Sequence, residues 1–152
     1  MVDIFNPPAF HMGGDEVNMK CYKTSSEIKE YFSQVNKSLS DDSIFELWGD
    51  FQQKSSKLVQ QKNKKKSTPI ILWSSCLTSR TNVTEILPTD EYIIQFWDKI
   101  HSESFEELLK NDYKIIVSNT DAWYLDYGFA NWIPMLTIFL KIPLLLSCVD
   151  FI

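Results

Sequence analysis

Tyr92-Ile93-Ile94-Gln95-Phe96-Trp97, then residues 102–111 with Phe105, Leu108 and Leu109 at helical spacing, then Tyr113-Lys114-Ile115-Ile116-Val117-Ser118 follow one another along the chain. Both short runs are apolar and rich in β-branched and aromatic residues, as buried strands are, and the span between them recurs at the interval of a helix with one apolar face. A strand, a helix and a second strand in that order point to parallel strands joined by a helical crossover. Upstream, Pro69-Ile70-Ile71-Leu72-Trp73 is a third such run, entered from a proline, with the profile of a strand buried on both faces. No convincing helix joins Trp73 to Tyr92, so one unit of the alternation is irregular. Two helices precede it. Thr24-Ser25-Ser26-Glu27 reads as a capping box ahead of Ile28, Tyr31, Phe32 and Val35. Asp41-Asp42-Ser43 opens a longer helix whose buried stripe is expected to be Ile44, Leu47, Trp48, Phe51 and Leu58. That helix fades into Lys62, Lys64, Lys65 and Lys66, a solvated end where cations suit the helix dipole.

Further upstream lies Phe10-His11-Met12-Gly13-Gly14-Asp15-Glu16-Val17. Two glycines permit a tight turn where an apolar run ends, and two adjacent carboxylates follow at once. A turn feeding a helix would also favour acids, through the helix dipole. At a strand end facing a pocket, however, paired carboxyl groups can divide the roles of proton donor and ionised partner, the acid chemistry of glycoside cleavage. Aromatic and acidic side chains recur at matching places: Trp73 and Trp97 end later strands, and Tyr124 and Asp126 follow the last. In a (β/α)8 barrel the carboxyl ends of the strands form the rim on which sites are built.

Composition narrows the classes. The 152 residues are 44% hydrophobic and 14% aromatic, with 15 basic and 20 acidic side chains, which describes a globular unit. A net charge of -5 argues against nucleic acid as a partner, since phosphates call for a basic face. Cys21, Cys76 and Cys148 cannot all pair within the chain, so cysteine usage leaves the compartment open. Two glycosylation sequons, at Asn36 and Asn82, fit a secretory, lysosomal or membrane-associated route. The opening Met1-Val2-Asp3-Ile4-Phe5-Asn6-Pro7-Pro8 has neither the basic start nor the apolar core of a signal peptide. No His or Cys spacing suggests a metal site.

The stretch 10–17 with Asn18-Met19-Lys20-Cys21 resembles the active-site signature of the β-N-acetylhexosaminidases, the family-20 glycoside hydrolases, especially the animal members. Further matches fall in order at Leu72-Trp73, at Gln95-Phe96-Trp97 and at Asp121-Ala122-Trp123-Tyr124-Leu125-Asp126. The resemblance implies an α/β fold, about the second half of a (β/α)8 TIM barrel over residues 1–132. It also implies removal of terminal N-acetylglucosamine or N-acetylgalactosamine from glycans with retention. The nucleophile is then the substrate's own acetamido oxygen, an exception to the two-carboxylate scheme. Carried over residue by residue, Glu16 matches the general acid and Asp15 the carboxylate that holds the acetamido N–H. Tyr124 matches the phenol on the acetamido oxygen, Trp73 and Trp97 the aromatic walls, and Asp126 a binder of sugar hydroxyls. Trp123 receives no role, and His11 is expected to be a structural hydrogen-bond partner. The implied partners are N-acetylhexosamine-containing oligosaccharides or glycoconjugates, with no cofactor and no metal, and a homodimer is the expected full-length form.

The departures are specific. A complete barrel takes about 250 residues, and the family's early-strand arginine, its late tryptophan and glutamate, and its accessory domain have no counterparts here. Residues 133–152, beginning Ile133-Pro134-Met135-Leu136, form an apolar tail without family resemblance, and Pro134, Lys141 and Pro143 make it a poor membrane span. On its own this stretch is expected to be inactive, and a catalytically dead glycan-binding remnant is the alternative reading. A Gly-Gly-Asp-Glu turn also marks nucleotide cyclases that make cyclic dinucleotides, but they usually continue with Phe where this chain has Val17.

Overall fold

The computed structural model describes residues 2–5, 7–63 and 67–124, so Asp126, Cys148, the lysines at 64–66 and the tail 133–152 lie outside the described residues. Strands β1 (Phe10–His11), β2 (Ile70–Trp73), β3 (Tyr92–Phe96) and β4 (Lys114–Val117) form one parallel sheet in the order β1-β2-β3-β4. Each strand's neighbour in space is the next in sequence. That is the one-way winding of a (β/α)8 barrel rather than the reversed order of an open doubly wound sheet. After a helical turn, α1 (Val2–Phe5), the crossovers follow in order. Helices α2 (Met19–Thr24), α3 (Ser26–Gln34) and α4 (Asp41–Lys62) join β1 to β2, the short α5 (Val83–Ile86) joins β2 to β3, and α6 (Glu103–Lys110) joins β3 to β4. A last turn, α7 (Thr120–Trp123), follows β4. The irregular unit expected between Trp73 and Tyr92 is the one that contains only α5.

The sheet alternates. Ile70, Leu72, Tyr92, Ile94 and Phe96 are buried in one cluster with Ile44, Trp48, Val59, Leu77 and Leu108. The intervening Ile71, Trp73, Ile93 and Gln95 face the other way and are only half-buried. These strands were expected to be buried on both faces. The helices cover one face, and among the described residues no second layer covers the other, so period-2 burial replaces a continuous apolar profile.

The helix caps and phases differ from expectation in three places. Ser25, not Thr24, caps α3: its hydroxyl accepts from the Ile28 N–H at 3.3 Å and is held by the Glu27 carboxylate at 2.8 Å. Thr24 instead closes α2, donating to the Cys21 carbonyl. In α4 the buried stripe runs Ile44, Phe45, Trp48, Gly49, Gln52, Ser56 and Val59, while Phe51 and Leu58 are exposed. The polar Gln52 and Ser56 and the small Gly49 sit on the packed face, a rotation that hydrophobicity alone does not predict. Leu109 of α6 likewise points outward, leaving Leu108 and Phe105 to pack.

Candidate active site

The turn after β1 is shaped by Gly13 and Gly14, whose φ angles of 71° and 83° lie in the left-handed region that side chains rarely adopt. Gly14 carries a second constraint: a Cβ there would stand 2.9 Å from Nε2 of Gln52, a residue only 2% exposed on α4. The first part of the turn is stitched to its surroundings. Met12 N–H donates to the Ile71 carbonyl at 2.9 Å, and the Gly13 carbonyl accepts from Trp73 N–H at 3.1 Å. Gly13 N–H donates to Nδ1 of His11 at 3.0 Å. The backbone delivering Asp15 and Glu16 is therefore held by β1 and β2 together.

The aromatic side chains arrive from the other strand ends. Trp73 is the last residue of β2, and its ring lies 4.9 Å from the His11 ring at a 56° tilt. Trp97, the residue after β3, is fixed by Ser74. The Trp97 N–H donates to Ser74 Oγ at 3.2 Å and its indole Nε1–H to the Ser74 carbonyl at 2.7 Å. Beyond β4, Thr120 N–H donates to the Trp97 carbonyl at 2.9 Å, which starts α7 against the end of β3 and brings round Tyr124. Asp15, Glu16, Trp73, Trp97 and Tyr124 line a single open cavity of about 190 Å³ at the carboxyl ends of the strands. Residues from four separate places in the sequence thus converge on one cleft.

Trp123 does not join them; it is 66% exposed and absent from the cavity wall. Asp126 lies outside the described residues. His11 takes the structural part expected of it: burial holds its imidazole below the usual histidine range, against weaker opposing pulls from a hydrogen bond with Gln95 and from the Asp15 charge. Asn36 is exposed in the turn after α3, with a φ of 53°, whereas Asn82 is half-buried at the start of α5 with its Oδ1 unpartnered. Among the described residues no group of three or more His, Cys, Asp or Glu is arranged to hold a metal ion. Ser74, Gln95 and Ser118 were given no role from the sequence. Their signal was present in one form: each is a polar residue in or directly after an apolar strand, a pattern that burial disfavours unless the group has a partner.

The sequence matches glycosyl hydrolase family 20, catalytic domain, over residues 1–137. It is 42% identical over 124 residues to a chitooligosaccharidolytic beta-N-acetylglucosaminidase of Bombyx mori, covering 82% of this chain and 21% of that protein. It is 37% identical over 134 residues to the protein of the same name from Ostrinia furnacalis, covering 88% of this chain and 22% of the relative. To the probable beta-hexosaminidase fdl of Drosophila melanogaster it is 36% identical over 124 residues, 81% of this chain and 16% of the relative. The chain spans about a fifth of the length of the first two of these relatives.

Proposed function

From a chain that belongs to glycosyl hydrolase family 20, we propose a β-N-acetylhexosaminidase site that releases terminal N-acetylglucosamine or N-acetylgalactosamine from glycans with retention. The observation that supports it is the convergence of Asp15, Glu16, Trp73, Trp97 and Tyr124 on one cavity. At about 190 Å³ the cavity is small beside the ~300–1,000 Å³ usual for small-molecule sites, which suits an acetamido group and its sugar ring better than a long glycan.

In this reading Glu16 donates its proton to the glycosidic oxygen while the substrate's acetamido oxygen forms a bond to the anomeric carbon and the alcohol departs. Asp15 accepts the acetamido N–H and stabilises the positive charge that develops on the oxazolinium ring. Tyr124 donates to the acetamido oxygen, so that Asp15 and Tyr124 together aim the nucleophile. The tryptophan faces exclude water and hold the N-acetyl methyl group. Water then opens the ring as Glu16, now ionised, takes its proton, and two displacements at one carbon give net retention.

In the full-length enzyme, replacing Glu16→Gln is expected to lower hydrolysis of an aryl N-acetyl-β-glucosaminide by ~10²–10⁴-fold with little change in sugar binding. Turnover equal to the parent would remove Glu16 from the role of acid. A binding-only reading is favoured by one observation, that the described residues form four strands where a closed barrel has eight. Saturable binding of N-acetylglucosamine without any turnover by the full-length protein would select it.

A further inference from the structure

The inner face of the sheet carries a run of polar groups that the chemistry above does not use, and each has only one way to satisfy its neighbour. The Ser118 hydroxyl donates to the Phe96 carbonyl at 3.1 Å, so its oxygen is left as an acceptor for Gln95, whose Nε2 lies 3.2 Å away. With its nitrogen committed to Ser118, the Gln95 carboxamide presents its oxygen to its other partner, the His11 imidazole. On the far side of that ring Nδ1 already accepts from Gly13 N–H at 3.0 Å. The hydrogen must then sit on Nε2, pointing at the Gln95 oxygen. Read in order, Gly13 N–H, His11, Gln95, Ser118 and the Phe96 carbonyl form a chain in which every donor faces an acceptor, and it runs from the β1 end across to β4.

We propose that Gln95 and Ser118 are positioning residues for the catalytic turn: they lock His11 as the neutral Nε2–H tautomer, and His11 in turn holds the Gly13 amide and with it the backbone that carries Asp15 and Glu16. The inference rests on those two carboxylates being the reacting pair, but the lock itself is a property of the folded chain. Only an imidazole with an unprotonated Nδ1 can accept from the Gly13 N–H. A proton added at Nδ1 would face the Gly13 N–H, donor against donor, and break the link. Asp15, on the turn itself, is the charged side chain acting on the imidazole; Trp73 and Gln95 face it from β2 and β3. Partial desolvation among them, at a side chain that solvent still reaches, lowers the imidazole below the usual histidine range and outweighs the pull of Asp15.

The test is nitrogen-15 NMR of the imidazoles, which distinguishes a protonated from an unprotonated ring nitrogen. The chain has two histidines, and His101→Gln leaves His11 alone in the spectrum. In the parent chain Nδ1 of His11 is expected to be unprotonated and Nε2 protonated at neutral pH. In Gln95→Leu the two tautomers should mix, and exchange of the Gly13 amide should speed up by about tenfold, the order expected for one lost hydrogen bond. In Gln95→Glu the carboxylate beside the ring should raise the His11 titration by ~1–3 pH units, so that the Gly13 amide is released at a higher pH than in the parent. In the His11→Asn background, where an amide oxygen can take the place of Nδ1, Gln95→Glu should leave the Gly13 amide as it was. A parent His11 carrying its proton on Nδ1 would overturn the proposal without any variant, as would Gly13 exchange unchanged by both Gln95 substitutions. Binding of N-acetylglucosamine to the same samples separates the two levels of inference. An intact lock in a chain that binds no sugar would contradict the functional reading alone.

Discussion

At the scale of single residues, the turn explains why two glycines stand together and why they are not equivalent. Both have positive φ, so an alanine at either place costs ~1–3 kcal/mol of backbone strain. At Gly13 a Cβ would enter open space, but at Gly14 it would press on the buried Gln52 amide. Gly14→Ala is therefore expected to lower the urea midpoint more than Gly13→Ala, and Gln52→Ala should bring the two costs together. Equal losses in the parent background would show that Gln52 does not crowd the turn. Much of this site was legible in the sequence, because Gly-Gly-Asp-Glu announces a turn loaded with carboxylates and because Trp73, Trp97 and Tyr124 end or follow apolar runs. Gln95 and Ser118 were not, since a polar residue in a strand says only that it needs a partner and not where that partner is.

Among the elements, α4 shows where a hydrophobic pattern misleads. Its length and its start at Asp41 follow from the sequence, with Ser40 accepting from the Ser43 N–H at 3.2 Å. Its rotation does not, since Phe51 and Leu58 face solvent while Gly49, Gln52 and Ser56 face the core. Gly49 accounts for part of this: a Cβ there would run into the Ile86 side chain of α5, so the helix turns its smallest residue toward its closest neighbour. Gly49→Ala should cost ~1–3 kcal/mol through overpacking, although propensity alone would favour alanine by ~1 kcal/mol. The loss should shrink in an Ile86→Ala background, as read by urea denaturation of the four-member cycle. Equal losses in both backgrounds would mean that the two helices do not meet there. The end of α4 is tied down by polar groups instead: Gln60 and Thr68 exchange two backbone-to-amide bonds of 2.9 and 2.7 Å, and Asn63 Nδ2 donates to Thr68 Oγ1 at 2.6 Å. Those contacts set where β2 begins, and sequence periodicity carries no trace of them.

For the molecule as a whole, parallel strands and helical crossovers were readable from the alternation of apolar runs, whereas the one-way winding came from the resemblance alone, since the same alternation also fits a doubly wound sheet. The half-covered sheet was less so, since a run such as Ile70-Ile71-Leu72-Trp73 looks the same whether one face is packed or two. Folding also leaves a signature at high pH. Tyr113 is buried between β4 and the α5 region, where its hydroxyl donates to the Leu87 carbonyl, and burial, with a smaller contribution from Tyr92, pushes its pKa up to about 12. An unfolded tyrosine titrates near ~10. The folded chain therefore keeps this contribution in full below about pH 10 and loses it as pH rises toward 12. Stability should fall across that window, and Tyr113→Phe should flatten the fall; an unchanged slope would show that Tyr113 does not carry it. The central claim, that the cleft recognises an acetamido sugar, is tested most directly by titrating the chain with N-acetylglucosamine and with glucose while following tryptophan fluorescence. A saturable change with N-acetylglucosamine alone, lost in Trp97→Phe and Asp15→Asn, is the expected result. No change with either sugar, or the same change with glucose, would contradict it.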